Sequence, residues 1–170
     1  MNKDFNYKPI FSHKDVEILQ RSDLYHGFLQ LESVTLRHRL FKNHQFGREL
    51  KREMIHRREA VGVFVHDPSL KKFLLIEQFR LGALSAEVSP WQLEIIAGLI
   101  DEGEDAVTCL KREALEEAGC TLKDVDFLYR YFPSTGACDE VFSLYSATAD
   151  LSQAGGIFGA EDEGEDIKVH

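Results

Sequence analysis

Gly98-Leu-Ile-Asp-Glu-Gly-Glu-Asp-Ala-Val-Thr-Cys-Leu-Lys-Arg-Glu-Ala-Leu-Glu-Glu-Ala-Gly-Cys120 is the stretch from which the rest of the chain can be read. An acidic loop bounded by Gly98 and Gly103 leads into a helical run that Gly119 stops. Asp105 or Glu104 can serve the first turn, where negative charge suits the helix dipole. Ala106, Leu110, Ala114 and Ala118 fall four apart with Val107 beside them, giving one apolar stripe for a sheet to cover. Glu113 and Glu117 are also four apart, and Glu116 lies next to them. Three carboxylates therefore crowd the flank of a stripe that must be buried. Like charges at that spacing cost a few tenths of a kcal/mol each when exposed, and more when partly buried. A bound cation removes the cost, and carboxylate oxygens suit a hard ion such as magnesium or manganese. The competing reading is a solvated acidic face with Lys111 and Arg112 as partners.

At 170 residues the chain is one domain's worth and can bury a core. Hydrophobic content of 44% and aromatic content of 11% are globular values. A formal charge of −9 argues against a nucleic-acid surface, which wants a basic patch. It leaves room for a small anionic substrate, because bound cations reverse the local field. Cys109, Cys120 and Cys138 are an odd number without a CxxC pair, which argues against zinc or a disulfide framework. Reduced thiols and a cytoplasmic location are expected. No apolar run approaches the roughly 20 residues that span a bilayer, so no membrane partner is expected. The seven histidines are scattered and read as structural or surface residues.

Along the chain, Asp15–Gln20 and Gly27–Leu40 read as two strands of a hairpin, the second weakly alternating and carrying Arg37-His38-Arg39. Such a strand, short of apolar surface, packs against another element or subunit. Ala60–Val65 and Lys72–Phe79 read as neighbouring strands buried on both faces, joined through the Asp67-Pro68 turn. Leu81–Ser89 reads as a loop and Trp91–Ala97 as one short strand delivering the chain to Gly98. Val125–Phe132 and Val141–Ala149 read as strands joined by a polar loop, Gly155–Asp166 as a loop, and Ile167–His170 as the start of a strand. Strands interleaved with one clear helix favour an α/β fold with a mixed sheet.

The full spacing of the opening stretch is glycine, five residues, Glu104, seven residues, Arg112-Glu113, then Glu116-Glu117 and Gly119. It resembles the Nudix box, the signature of hydrolases that cleave nucleoside diphosphates linked to another group. Every charged and glycine position of the box is filled, while Ala114 and Cys120 stand where bulkier aliphatics are usual. Gly27-Phe28, Arg37-His38-Arg39, Arg52-Glu53, Ile76-Glu77-Gln78-Phe79-Arg80, Glu94 with Ala97-Gly98, and Glu161–His170 extend the likeness to bacterial ADP-ribose pyrophosphatases over nearly the whole chain. That resemblance implies a Nudix-type α/β/α sandwich with a mixed sheet. It also implies an N-terminal antiparallel β arm, residues 1–47, exchanged between the subunits of a homodimer, ahead of a catalytic domain over residues 48–170. The family's C-terminal helix has no counterpart before His170.

The resemblance further implies magnesium or manganese, two or more ions per site. The ligands would be Glu113, Glu117, Glu165 and the carbonyl of Ala97, with Glu163 as the general base. Phe28 from the partner subunit, with Leu29, Arg52 and Glu53, would hold the adenine end, and Arg80 would hold phosphate. Arg57, Leu99, Glu140, Ser134 and Gly136 would line the rest. Glu104 and Arg112 would form an internal ion pair that fixes the loop on the helix, with Glu116 beside them. One departure touches the sugar half: Thr135 stands where the family has proline, and Pro133 lies two residues earlier. The implied activity is hydrolysis of ADP-ribose to AMP and ribose 5-phosphate. The alternatives are a pyrophosphatase for another nucleoside-diphosphate sugar and a nucleotide-binding domain without turnover.

Overall fold

The computed structural model describes residues 8–160 and 164–170. They form two compact units: the residues up to Arg57 with Ser134–Asp139, and Arg58–Pro133 with Glu140–His170.

The first unit is an antiparallel sheet of β1 (Val16–His26), β2 (Gln30–His38) and β3 (Leu50–His56), in that order. A 3-10 turn at His13–Asp15 leads in, with Ser12 Oγ accepting from the Lys14 amide and Asp15 Oδ2 from the Ser12 amide. β1 runs past the expected Gln20 to His26, with irregularities in register between Ile18 and Gln20 and between Asp23 and Tyr25. The second strand, expected to pack against another element or subunit, is the central strand of this sheet between β1 and β3, and Glu32, Ser33 and Val34 are buried on it. The exposed edge is β1. The charge run on β2 is also accounted for. Arg37 pairs with Glu17 at 2.7 Å, Arg39 with Asp15 at 3.0 Å, and both guanidinium groups lie over the Phe46 ring.

The second unit centres on β4 (Ala60–Asp67), whose inward valines make it a continuous apolar run. One edge of β4 is shared: β8 (Ile96–Leu99) pairs with Ala60–Val63, and β5 (Lys72–Leu74) pairs with Val65–Asp67. Along its other edge β10 (Phe142–Thr148) runs parallel to β4 and antiparallel to β9 (Lys123–Tyr131), so the sheet is mixed. A second, antiparallel sheet has the order β11 (Gly156–Phe158), β12 (Ile167–Val169), β6 (Ile76–Phe79), β7 (Trp91–Glu94). Asp67 ends β4 as a buried acceptor for the Ser69, Leu70 and Leu151 amides.

Three expectations change here. Lys72–Phe79 is two strands in two sheets, broken at Leu75, whose N–H and C=O exchange bonds with His170. Its outer rings, Phe73 and Phe79, are exposed, so it is not buried on both faces. Trp91–Ala97 likewise breaks at Ile95 into β7 and β8, and the expected loop Gly155–Asp166 contains β11. A chain that passes from one sheet to another must leave its ladder, and an apolar run carries no mark of where.

The helix α1 (Ala106–Ala118) starts at Asp105, not Glu104. The Asp105 carboxylate accepts from the Val107 and Thr108 amides. It stops at Gly119, whose φ of 59° is left-handed. Cys109, Leu110, Ala114 and Ala118 join Val61, Val63, Val65, Ile96 and Ile167 in one core. Each fully buried Leu or Ile there contributes about 1.5–3 kcal/mol. Among the described residues α1 is the one α-helix, so they show one helical layer of the expected sandwich. No helix among them is long and apolar enough to cross a membrane.

Candidate active site

The box residues are brought together where β8 meets α1. The helical period turns Glu117 inward with Leu110 and Ala114, and it is only 3% exposed. Its Oε2 accepts from the Ala97 amide at 3.3 Å. Burial, then the neighbouring Glu113 carboxylate, push its pKa up to about 8. Glu165 adds to that repulsion, while the Ala97 amide and Arg80 oppose it. Glu113, also largely buried, is raised by burial, with Arg112 pulling the other way. The Glu113 side chain lies directly over Gly98, and a Cβ at that position would overlap its carboxylate. Glu165 stands before β12, and its carboxylate accepts from the Ala160 amide at 3.1 Å.

Arg112 is the hub of the loop. It bonds Glu104 through Nε and Nη2, each at 3.1 Å, and Glu113 and Glu116 through Nη1 at 2.9 and 3.1 Å. Its pKa is raised further, chiefly by Glu104. Glu104 is lowered by Arg112 and by the Asp101 amide. Beneath the guanidinium lies the Cys109 thiol, 3.4 Å from Nη2 and 3.5 Å from the Leu99 carbonyl, its pKa pushed up to about 12 by burial. Arg80 leaves β6 toward the same carboxylates but is held in a fork by Glu94, with Nη2 to Oε2 at 2.8 Å.

Among the described residues no three His, Cys, Asp or Glu side chains stand close enough together to hold a metal. The donor set nevertheless fits a hard cation. Glu117 is a buried carboxylate with one backbone donor. Its anionic neighbours are Glu113 and Glu165, and the nearest guanidinium groups are already engaged by Glu104 and Glu94.

The other expected site residues lie in different places. Ala97 and Leu99 are on β8, and Glu140 precedes β10. In the first unit Phe28 and Leu29 form the turn between β1 and β2, with Phe28 89% exposed. Arg52 and Glu53 are exposed on β3, and Arg57 follows it. Ser134 and Gly136 lie in an exposed turn in which the Ala137 and Cys138 amides donate to the Ser134 carbonyl. Glu163 lies outside the described residues. No sequence signal assigned a role to Glu94 as the clamp on Arg80 or to Cys109 under Arg112. The first needs the β6–β7 pairing, and the second shows only as one more apolar position on the helix face.

A model of the NUDIX domain family matches residues 56–170. The chain is 40% identical over 170 residues to the ADP-ribose pyrophosphatase of Escherichia coli, covering 100% of this chain and 81% of that protein. It is 38% identical over 163 residues to the ADP-ribose pyrophosphatase of Haemophilus influenzae, with coverage of 94% and 75%. A GDP-mannose pyrophosphatase of Escherichia coli is 34% identical over 123 residues, 70% of this chain and 62% of that one. The fold is also that of a crystal structure of an ADP compounds hydrolase, with a TM-score of 0.64 over 81% of this chain and 69% of that one at 24% identity. The loop held on α1 by Arg112, the buried Glu117 and this match over more than half of the chain make one statement: the chain belongs to the Nudix family.

Proposed function

We propose that the protein is a divalent-metal-dependent pyrophosphatase that hydrolyses ADP-ribose to AMP and ribose 5-phosphate. The observation that carries the reading is the likeness to ADP-ribose pyrophosphatases over the whole chain, with the buried Glu117–Glu113 pair at its centre. Glu113, Glu117, Glu165 and the Ala97 carbonyl would hold magnesium or manganese. When bound, those ions neutralise the pyrophosphate and stabilise charge that develops on its oxygens. Glu163 takes a proton from the attacking water, whose oxygen bonds to one phosphorus as the bridging P–O bond breaks. Arg80 binds phosphate oxygens as a planar fork, kept in one orientation by Glu94. Phe28 of the partner subunit stacks on adenine, and Leu29, Arg52 and Glu53 hold that end. Arg57, Leu99, Ser134, Gly136 and Glu140 line the remainder. Glu104, Arg112 and Glu116 keep the loop on α1. Reduced Cys109, Cys120 and Cys138 suit a cytoplasmic enzyme.

The second reading is another nucleoside-diphosphate sugar, favoured by the likeness to a GDP-mannose pyrophosphatase. A panel of ADP-ribose, GDP-mannose, NADH and nucleoside triphosphates with magnesium separates the two. ADP-ribose is expected to show the highest kcat/KM, with AMP release abolished by EDTA. Faster turnover of another member removes the substrate assignment. Binding of ADP-ribose without cleavage in the presence of metal removes the enzyme.

A further inference from the structure

The first unit holds a second titratable cluster, apart from the carboxylates of α1. His56 ends β3 half-buried. Its Nδ1 lies 2.6 Å from Asp139 Oδ2 and its Nε2 lies 3.1 Å from Glu32 Oε2. Glu32 on β2 is buried and also takes Arg21 Nη1 of β1 at 2.6 Å. Asp139 Oδ1 accepts from the Arg57 amide at 2.8 Å. An ionised carboxylate only accepts hydrogen bonds, and a neutral imidazole offers a single N–H. Two carboxylates on opposite ring nitrogens therefore call for the doubly protonated imidazolium.

What this cation closes is the turn that bears Ser134 and Gly136. The Ile55 amide donates to the Ala137 carbonyl at 2.8 Å, and the Asp139 amide returns to the Ile55 carbonyl at 3.2 Å. The turn is thus clipped to β3 by the backbone of one residue. The His56–Asp139 contact, between residues 83 apart, is the side-chain fastening next to that clip.

We propose that His56 is a positioning residue: as the imidazolium it locks the Ser134–Asp139 turn onto β3, and the grip on the sugar half of the substrate weakens as His56 loses its proton. The link to substrate rests on the reading that Ser134 and Gly136 line that half. The groups facing His56 set the direction. Asp139 and then, against some opposition from burial, Glu32 hold its pKa above the ordinary histidine value. Arg21 stands behind Glu32, and the Arg57 amide stands behind Asp139. Asp139 itself is lowered: burial pushes it up, but the Arg57 amide and His56 outweigh that. The lock is therefore complete below the unperturbed histidine pKa of about 6.5 and is lost as pH rises through the raised value in the folded protein. A neutral ring keeps one of the two bonds and leaves two anions facing each other across it.

The test compares the full-length wild type with His56→Gln, His56→Arg and Asp139→Asn. KM and kcat for ADP-ribose with magnesium are measured from pH 6 to 9, together with amide exchange of residues 134–139. At pH 6.5, His56→Gln is expected to raise KM roughly tenfold, as the locked fraction falls to about a tenth, with kcat within about twofold. Exchange in the turn should quicken in parallel. Wild type should approach His56→Gln by pH 9. His56→Arg, a cation that does not titrate in this range, should keep a low KM and slow exchange throughout. Asp139→Asn reads the lock from its other side and serves if His56→Gln folds poorly. Equal exchange in wild type and both neutralised variants at pH 6.5 overturns the lock. Faster exchange with an unmoved KM overturns the link to substrate and removes Ser134 and Gly136 from the site, leaving the ADP-ribose assignment standing. If ADP-ribose is not the substrate, the exchange measurement alone still decides the lock.

Discussion

Glu117 and Glu163 carry the same charge but are proposed for different tasks. Glu117 is fixed by a helix and buried, with its place set by the 3.6-residue period. Glu163 is followed by Gly164 and comes four residues after Gly159, and both glycines have positive φ. A holder of metal suits the fixed, buried Glu117, and the proposed proton acceptor is Glu163. Glu163→Gln is expected to keep substrate affinity and to lose at least about a hundredfold in kcat, the range of a general base. Glu117→Gln is expected to weaken metal binding, with part of its rate restored by added magnesium. Rates of both variants across a magnesium titration check this. Rescue of Glu163→Gln with none for Glu117→Gln reverses the two roles. Glu113 and Glu117 were legible as a pair on one helix because the box spaces them in one short stretch. Glu94 and the His56–Asp139 pair were not, because strand pairing and a return of the chain bring their partners to them.

The loop and helix from Gly98 to Gly119 depend on two glycines for opposite reasons. Gly98 makes room for a side chain: any Cβ there meets the Glu113 carboxylate. Gly119 supplies a left-handed residue and lies under the Phe158 ring, which a Cβ would also meet. Gly98→Ala is expected to lower kcat at least about tenfold, because displaced catalytic groups are costly. Its melting temperature should fall less than that of Gly119→Ala. The latter should lose about 1–2 kcal/mol of stability from its backbone alone. Steady-state rates and thermal melts of the two variants check the contrast, and equal effects on both measurements refute it. The helix itself was plain in the sequence, since stripe, glycine stop and acidic start agree. The start falls on Asp105 because its short side chain reaches the Val107 and Thr108 amides, while Glu104 turns to Arg112. The breaks at Leu75 and Ile95 were not visible, since both residues are as apolar as the strands they separate.

Taken as a whole molecule, the chain displays apolar side chains on β1 and its turn: Ile18, Leu24, Tyr25 and Phe28 are all exposed. Isolated exposed apolar residues are ordinary, but a run of them on one edge strand marks a contact surface. We expect a homodimer at micromolar concentration by sedimentation or light scattering. Phe28→Ala should raise KM for ADP-ribose while leaving the fold intact. A stable monomer with full activity refutes the exchanged arm. The strand that leaves its side chains uncovered is β1, while β2 is partly buried between its neighbours.

The first unit is interrupted in sequence, stopping at Arg57 and resuming at Ser134. Arg57 and Asp139 are 82 residues apart. On a ribosome adding about 5–20 residues per second, roughly 4–16 s pass between the emergence of the two. During that interval Ile55 has no Ala137 carbonyl to meet, and His56 faces Glu32 alone. Strands β4 to β9 and the helix are all synthesised in the meantime. The N-terminal unit is therefore first to be started but stays unfinished until Asp139 emerges, and the nascent protein carries an open edge on β3 while β4 to β9 are made.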